Sequence, residues 1–183
     1  MFKLKIISGF LKGRNIKGFN IEGTRPTMDR VKESLFGMIQ DYVDDSIVLD
    51  LFSGSGNLGI EAISNGAHKV YFNDINRIAI NTIKSNLKEL DIENKAVVTK
   101  CHYDECLNSL KEKFNIIFLD PPYNNIILND VIKKIMRRNL LNDNGIIVCE
   151  VSSNYLDSFS QLELIKLRTY GDKIIVIFKK TCN

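Results

Sequence analysis

Ser46-Ile-Val-Leu-Asp-Leu-Phe52, then Ser53-Gly54-Ser-Gly56-Asn-Leu-Gly59, then Ile60-Glu-Ala-Ile63 set an apolar run, a GxGxxG loop and a helical pattern in succession. In that strand–loop–helix context the glycine motif points to a cofactor site at the carboxyl end of a parallel strand. The loop alone does not choose the cofactor, because glycine serves any ligand that approaches the backbone closely. Asp50 helps to choose: a carboxylate at the strand end repels a pyrophosphate and attracts an ammonium group such as that of S-adenosylmethionine. The next apolar run, Lys69-Val-Tyr-Phe-Asn73, ends at Asp74, 20 residues after Gly54, where an acid meets a ribose hydroxyl pair. Taken singly, Asp50 could solvate a strand end and Asp74 could cap the next helix. Jointly they define a site in which Asp50, Phe52, Gly54, Ser55, Gly56 and Asn57 surround the methionine portion, Asp74 holds the ribose and Ile75 packs on the adenine.

A second motif closes the run Phe114-Asn-Ile-Ile-Phe-Leu119, which continues as Asp120-Pro-Pro-Tyr123. The amino group of a nucleobase is a poor nucleophile because its lone pair is delocalised into the ring. Methylating it calls for acceptors that hold the nitrogen nearer to tetrahedral geometry. Asp120 would accept one N–H and the Pro121 carbonyl the other, Pro121 and Pro122 would fix the backbone, and Tyr123 would offer a flat face to an unstacked base. A plain strand-to-loop turn is the alternative, since Pro-Pro marks turns anywhere.

Between and around these motifs the chain alternates. Strands are expected at 46–51, 69–73, 95–100, 114–119, 145–151, 160–168 and 173–179, and helices at about 57–65, 75–90, 103–111 and 127–138. This pattern calls for an α/β fold with a largely parallel sheet covered on both faces, ligands binding beyond the carboxyl ends of its central strands. Only Tyr170-Gly-Asp172 separates the last two strands, so an antiparallel hairpin finishes the sheet. Ahead of this lies a preface: a hairpin from Lys3–Ile7 and Arg14–Gly18, then a helix capped by Thr27 with Val31, Leu35, Met38, Ile39 and Tyr42 as its apolar stripe. The expected division is 1–44 as an extension for RNA docking and cofactor cover, and 45–183 as the catalytic domain.

With 183 residues and 44% hydrophobic content, the chain suits one well-buried domain. No run is long and apolar enough for a membrane span, and lysines interrupt the N-terminal Met-Phe-Lys-Leu-Lys-Ile-Ile too often for a secretory core, so a cytoplasmic monomer is expected. Cys101, Cys106, Cys149 and Cys182 show no CxxC spacing and read as free thiols in or near the core; Cys101, His102 and Cys106 lack the second cluster that would make a metal site. The net charge is only +3, but residues 1–32 carry eight cations against two acids. Lys12, Arg14 and Lys17 of the hairpin are therefore candidate RNA contacts. Lys133, Lys134, Arg137 and Arg138 recur at one face of the helix after Asp-Pro-Pro-Tyr, so the first three are candidates too, although a solvated helix face is the commoner fate of such clusters.

Lys5-Ile-Ile-Ser-Gly-Phe-Leu-Lys-Gly-Arg14, Arg25-Pro-Thr-Met-Asp-Arg-Val-Lys-Glu-Ser-Leu-Phe36, Leu49-Asp-Leu-Phe-Ser-Gly-Ser-Gly-Asn-Leu-Gly-Ile-Glu-Ala62 and Leu119-Asp-Pro-Pro-Tyr123 resemble, in order and spacing, the RsmD family of 16S ribosomal RNA (guanine-N(2))-methyltransferases. The resemblance implies the seven-stranded Rossmann-like fold of S-adenosylmethionine-dependent enzymes and methylation of one guanine of small-subunit RNA, within a small ribosomal subunit or its assembly intermediate. It places Thr27 by the methionine end of the cofactor and the basic hairpin against RNA. Where the family often has an acidic or amide residue followed by a small one near the adenine, this chain has His102-Tyr103. Three rivals stay open. A DNA adenine-N(6) methyltransferase would need length for target recognition that this chain lacks, a protein glutamine methyltransferase more typically has Asn at position 120, and a non-catalytic RNA-binding assembly factor has no need of acids at 50, 74 and 120.

Overall fold

The computed structural model describes residues 2–18, 29–121, 125–151 and 157–181. Its centre is a seven-stranded sheet built from β3 (Ile47–Asp50), β4 (Lys69–Asn73), β5 (Ala96–Thr99), β6 (Phe114–Leu119), β7 (Leu141–Val151), β8 (Leu162–Tyr170) and β9 (Lys173–Lys180). The spatial order is β5-β4-β3-β6-β7-β9-β8. The first five strands in that order pair in parallel, and β9 runs antiparallel to both β7 and β8. The chain leaves β3 towards β4 and β5, then crosses back to place β6 on the other side of β3. That reversal opens the crevice beyond the carboxyl ends of β3 and β6 in which doubly wound folds bind ligands.

Strand periodicity sends successive side chains to opposite faces, and on the central strands both faces are dry. Val48, Ile116, Phe118, Ile146 and Val148 join one core; Leu49, Ile117, Leu119, Ile147 and Cys149 join the other. The first core is covered by α1 (Asp29–Val43), α2 (Asn57–Ser64) and α3 (Arg77–Leu90), the second by α4 (Tyr103–Ser109) and α5 (Asn125–Arg137). The expected elements are all present, with two boundary differences of note. β7 starts at Leu141, four residues ahead of its expected start, because Leu141 pairs with Phe114 before a register shift. The helix α1 buries Val31, Lys32, Leu35, Phe36, Ile39 and Val43, whereas Met38 and Tyr42 of the expected stripe are only partly buried. Thr27, its expected cap, lies outside the described residues.

The preface packs into the first core. β1 (Phe2–Lys5) pairs antiparallel with β2 (Asn15–Gly18), and Leu4, Ile6, Leu11 and Ile16 are buried with α1 and α2. Polar groups fix the docking. Glu61, fully buried in the middle of α2, accepts from the backbone N–H groups of Ile7 and Ser8 and from the Ser8 hydroxyl. Lys32 is equally buried; its Nζ lies 3.0 Å from Glu61 Oε2 and donates to the Lys5 carbonyl and to Asn57 Oδ1, each at 2.7 Å. At the hairpin turn Gly9 has a φ of 75°, and a Cβ there would sit 1.7 Å from the Ser64 carbonyl oxygen. Only glycine lets the turn approach the helix end so closely. On the far side, Asn86 of α3 exchanges hydrogen bonds with both backbone groups of Lys17 and donates to the Ser55 carbonyl in the glycine loop.

Among the described residues no helix is long and apolar enough to cross a membrane. Removing one partner of a buried ion pair strands the other charge, at a cost of about 3–5 kcal/mol. Lys32→Ala is expected to lower stability on that scale, read from chemical denaturation, and to lower the melting temperature by roughly 10 °C for a domain of this size.

Candidate active site

The glycine loop is built by side chains that the motif itself does not contain. Ser53 donates its N–H to the Asn73 carbonyl and its hydroxyl to the Asp50 carbonyl, while the Ser53 Oγ accepts from the Asn73 N–H. Asn73 in turn donates to the carbonyls of Leu51 and Cys101 and accepts from the Thr99 hydroxyl. One buried amide thereby ties the carboxyl ends of β3, β4 and β5. Gly54 and Gly56 sit at φ of 54° and 80°, the left-handed region that glycine enters without penalty. Gly59 has a packing role instead: a Cβ there would meet the fully buried Phe72 ring at 2.2 Å.

Asp50 and Asp74 lie on either side of this loop. Asp50 is buried and its Oδ2 accepts the Gly59 N–H at 3.1 Å, near the start of α2. Desolvation pushes its carboxyl up to about 7, against the Gly59 hydrogen bond, with the Asp74 charge adding to the rise. Asp74 uses one oxygen for the Gly54 N–H at 2.9 Å and the other for the Asn76 N–H at 2.8 Å. It does not cap α3, since Asn76 does that by accepting from the Ile78 N–H. Beyond Asp74, Ile75 is 65% exposed, an unusual state for an isoleucine beside a site. Phe52, Tyr103 and His102 form an aromatic row near the same strand ends, with ring centroids 5.7 and 4.3 Å apart. His102 caps α4 by accepting the Asp104 N–H, so the row stands on a helix terminus. Ser55 offers its carbonyl to Asn86, and the Asn57 side chain is committed to Lys32. Of the expected cofactor residues, the described ones therefore gather at one edge, with Asn57 turned to a structural task.

Asp120 follows β6, the parallel neighbour of β3, so the buried Asp50 and the half-buried Asp120 stand at adjacent strand ends. Burial pushes Asp120 up to about 8; Glu150 adds to the rise, Lys173 opposes it and Asp50 contributes further. Glu150 and Lys173 form an ion pair at the ends of β7 and β9. Neither residue was marked by a sequence motif, because only the β6-β7-β9 adjacency brings them beside Asp120. Pro121 is half-buried, and Pro122 and Tyr123 lie outside the described residues. Among the described residues the thiols of Cys101, Cys106 and Cys149 are free; Cys101 Sγ donates to Asn73 Oδ1, and burial pushes Cys106 up to about 12.

The six expected RNA contacts do not share a surface. The hairpin residues lie on the side of the first core and those of α5 on the side of the second. Lys17 pairs with Glu89, Arg14 donates to the Glu89 carbonyl, Lys133 pairs with Asp157 and Lys134 with Asp104. Lys12 and Arg137 are exposed.

A switch-point crevice with an acid on each of two neighbouring strands, a glycine loop and a seven-stranded sheet ending in an inserted antiparallel strand is the Rossmann-like methyltransferase fold. A solved structure described as a candidate methyltransferase from Escherichia coli superposes with a TM-score of 0.90 over 100% of both chains, at 25% identity. The chain belongs to the family described as Conserved hypothetical protein 95, which matches residues 4–179. Among its relatives are the Haemophilus influenzae Ribosomal RNA small subunit methyltransferase D, 36% identical over 92% of this chain and 90% of that one, and Bacillus subtilis YlbH, described as a candidate rRNA methyltransferase, 39% identical over 97% and 99%.

Asp50 supplies a pH test with a definite sign. Its folded-state value, about 7, lies above the ordinary 3.8. The stability it contributes is present below the unfolded value and is lost as pH rises through about 7, where the carboxylate becomes a buried charge. Asp50→Asn is therefore expected to melt above wild type at pH 8, by the equivalent of about 1–4 kcal/mol, and to match it near pH 4.

Proposed function

We propose that this chain is a cytoplasmic, S-adenosylmethionine-dependent methyltransferase that acts on the exocyclic N2 amine of a guanine in 16S ribosomal RNA. The reading rests above all on two carboxyls at adjacent strand ends, the buried Asp50 by the glycine loop and the half-buried Asp120 at the head of Asp-Pro-Pro-Tyr, both pushed up by desolvation. Buried acids held near neutrality are costly unless a ligand uses them, and the two suit different partners, a cation and an amine. The names of the relatives supply the substrate class.

The described residues fit S-adenosylmethionine. A buried acid that accepts the Gly59 N–H suits the ammonium group, and space beyond Gly54, where a Cβ would meet nothing within 4 Å, suits close approach of a ligand to the backbone. Asp50 and the loop from Gly54 to Gly56 would hold the methionine portion, with Thr27 beside it. Asp74 would turn an oxygen to the ribose, and exposed Ile75 and the Phe52–Tyr103–His102 row would bracket the adenine. When bound, the cofactor supplies an electrophilic methyl group on sulfur.

The protein's own part is positioning and proton management. Asp120 accepts one N–H of the target amine and the Pro121 carbonyl the other, with Pro122 stiffening the loop and Tyr123 facing the base. The amine is thereby aimed at the methyl group, and most of the acceleration comes from orientation. After transfer the nitrogen carries one proton too many, and a carboxylate with an affinity near 8 is well placed to receive it. Residues 1–44 would act as docking extension and cofactor cover for residues 45–183. The enzyme would work as a monomer on a small ribosomal subunit or its assembly intermediate.

Because Asp120 must be ionised to receive the proton, the single-turnover rate is expected to rise with pH and level off above about 8. Asp120→Ala should keep cofactor affinity, lose that inflection and slow single-turnover methylation of small-subunit RNA at least about a hundredfold. Asp74→Ala should weaken S-adenosylmethionine binding by about 1–3 kcal/mol in calorimetry. Labelled methyl transfer to RNA and particles from a strain lacking the gene, with the product mapped, tests the base and the substrate together; incorporation into protein or DNA alone would overturn the reading.

A further inference from the structure

Residues 1–18 carry five cations, Lys3, Lys5, Lys12, Arg14 and Lys17, and no acid. At the tip of this hairpin stands Phe10, 63% exposed, between the buried Leu11 and the left-handed Gly9. A single exposed apolar side chain is ordinary on a protein surface. What sets Phe10 apart is how firmly it is presented. Its own N–H donates to the Ser64 carbonyl at 2.8 Å, and the Leu11 N–H donates to Ser64 Oγ at 3.0 Å. Ser64 Oγ in turn donates to the Ser8 carbonyl, and the Ser8 N–H is held by Glu61 at 2.8 Å. The Lys12 N–H closes the turn on the Gly9 carbonyl. Ser8, Phe10 and Leu11 are thus pinned to α2, leaving an aromatic ring in solvent two residues before the exposed Lys12 and four before the exposed Arg14.

We propose that Phe10 is a stacking platform for an unpaired base of the RNA substrate, at a point remote from the methylated nucleotide. The proposal rests on the reading of the chain as an RNA methyltransferase and adds a second contact to it. An aromatic ring on a fixed backbone, with cations near it in the chain, suits single-stranded RNA recognition: the cations meet phosphates, the ring meets a base face, and the rigid backbone lowers the entropic cost of ordering the segment on binding. The place of the contact follows from α2. Its amino end belongs to the glycine loop and its carboxyl end, at Ser64, carries Phe10, so the two are separated by roughly 10 Å of helix at 1.5 Å per residue. The base on Phe10 therefore belongs to RNA flanking the target. A substrate must extend beyond the modified nucleotide to use it.

The test is filter binding of transcribed, protein-free small-subunit RNA by wild type, Phe10→Ala, Phe10→Leu and Phe10→Trp at several salt concentrations, beside melting curves and cofactor titration. Phe10→Ala and Phe10→Leu are expected to weaken RNA binding by about tenfold, and Phe10→Trp to retain it, since only the ring offers a stacking face. The salt slope should not change, in contrast to Lys12→Ala, which should flatten it by about 0.7. Melting temperature and cofactor affinity should stay at wild-type values. Unchanged affinity in Phe10→Ala, or wild-type affinity in Phe10→Leu, would overturn the platform while leaving the methyltransferase reading intact, because wild type still methylates the RNA. A loss confined to ribosomal particles would replace it with a protein contact, and a wild-type chain that binds cofactor but neither binds nor methylates RNA would overturn both.

Discussion

The buried contact between Lys32 and Glu61 joins three parts of the chain that are far apart in sequence. Lys32 belongs to the preface helix, Glu61 to the helix that starts at the glycine loop, and the same two side chains hold the backbone of Lys5, Ile7 and Ser8. Desolvating both charges is costly, and the pair is tolerable because nearly every donor and acceptor direction is used. An apolar pair of equal volume would fill the space but would leave the Ile7 and Ser8 N–H groups and the Lys5 carbonyl without partners. The ionic solution therefore fixes the registration of hairpin, α1 and α2. Through Asn57, it also fixes the first turn of the helix that follows the cofactor loop.

Much of this was legible. Alternation at Val48/Leu49 and Ile116/Ile117 announces strands buried on both faces, and Gly54-Ser-Gly56-Asn-Leu-Gly59 after an apolar run announces the switch-point loop. Asp50, Asp74 and Asp120 were found because each stands at a strand end, a position that spacing reveals. The structure corrects what spacing does not carry. Lys32 is one of the eight cations of residues 1–32, yet it falls three and four residues before Leu35 and Phe36, both buried in α1, and a charge at that spacing was the available signal. Lys17 and Lys134 look like free cations in the sequence, whereas folding sets them against Glu89 and Asp104. Glu150 and Lys173 were invisible because their proximity to Asp120 depends on which strands are neighbours, a non-local fact. Leu141-Asn-Asp-Asn144 precedes the strand expected from 145, and pairing of Leu141 with Phe114 draws it into the sheet although Asn and Asp are poor strand residues.

The site and its frame pull in opposite energetic directions. Asp50 and Asp120 are carboxyls that the folded protein would rather keep neutral, and Ser53 and Gly59 hold Asp50 where it is, while Asn73 and Thr99 order the strand ends beside it. Stability spent at the crevice is supplied by the two apolar cores and by the fully satisfied polar contacts beneath the hairpin. This division places strain where chemistry needs charge and places cooperativity where it does not.

The order β7-β9-β8 has a consequence for how the chain is made. During synthesis β8 emerges before β9, yet among the described strands β9 is its sole partner, and β9 must enter between β8 and β7. Until Lys173–Lys180 has left the ribosome, β7 presents an unpaired edge and β8 has no sheet to join, a state prone to pairing with other chains. The parallel half can close around its cores earlier, whereas the antiparallel end closes in one late step. A chain stopped at Asp172 would accordingly lose two strands of the sheet, not one.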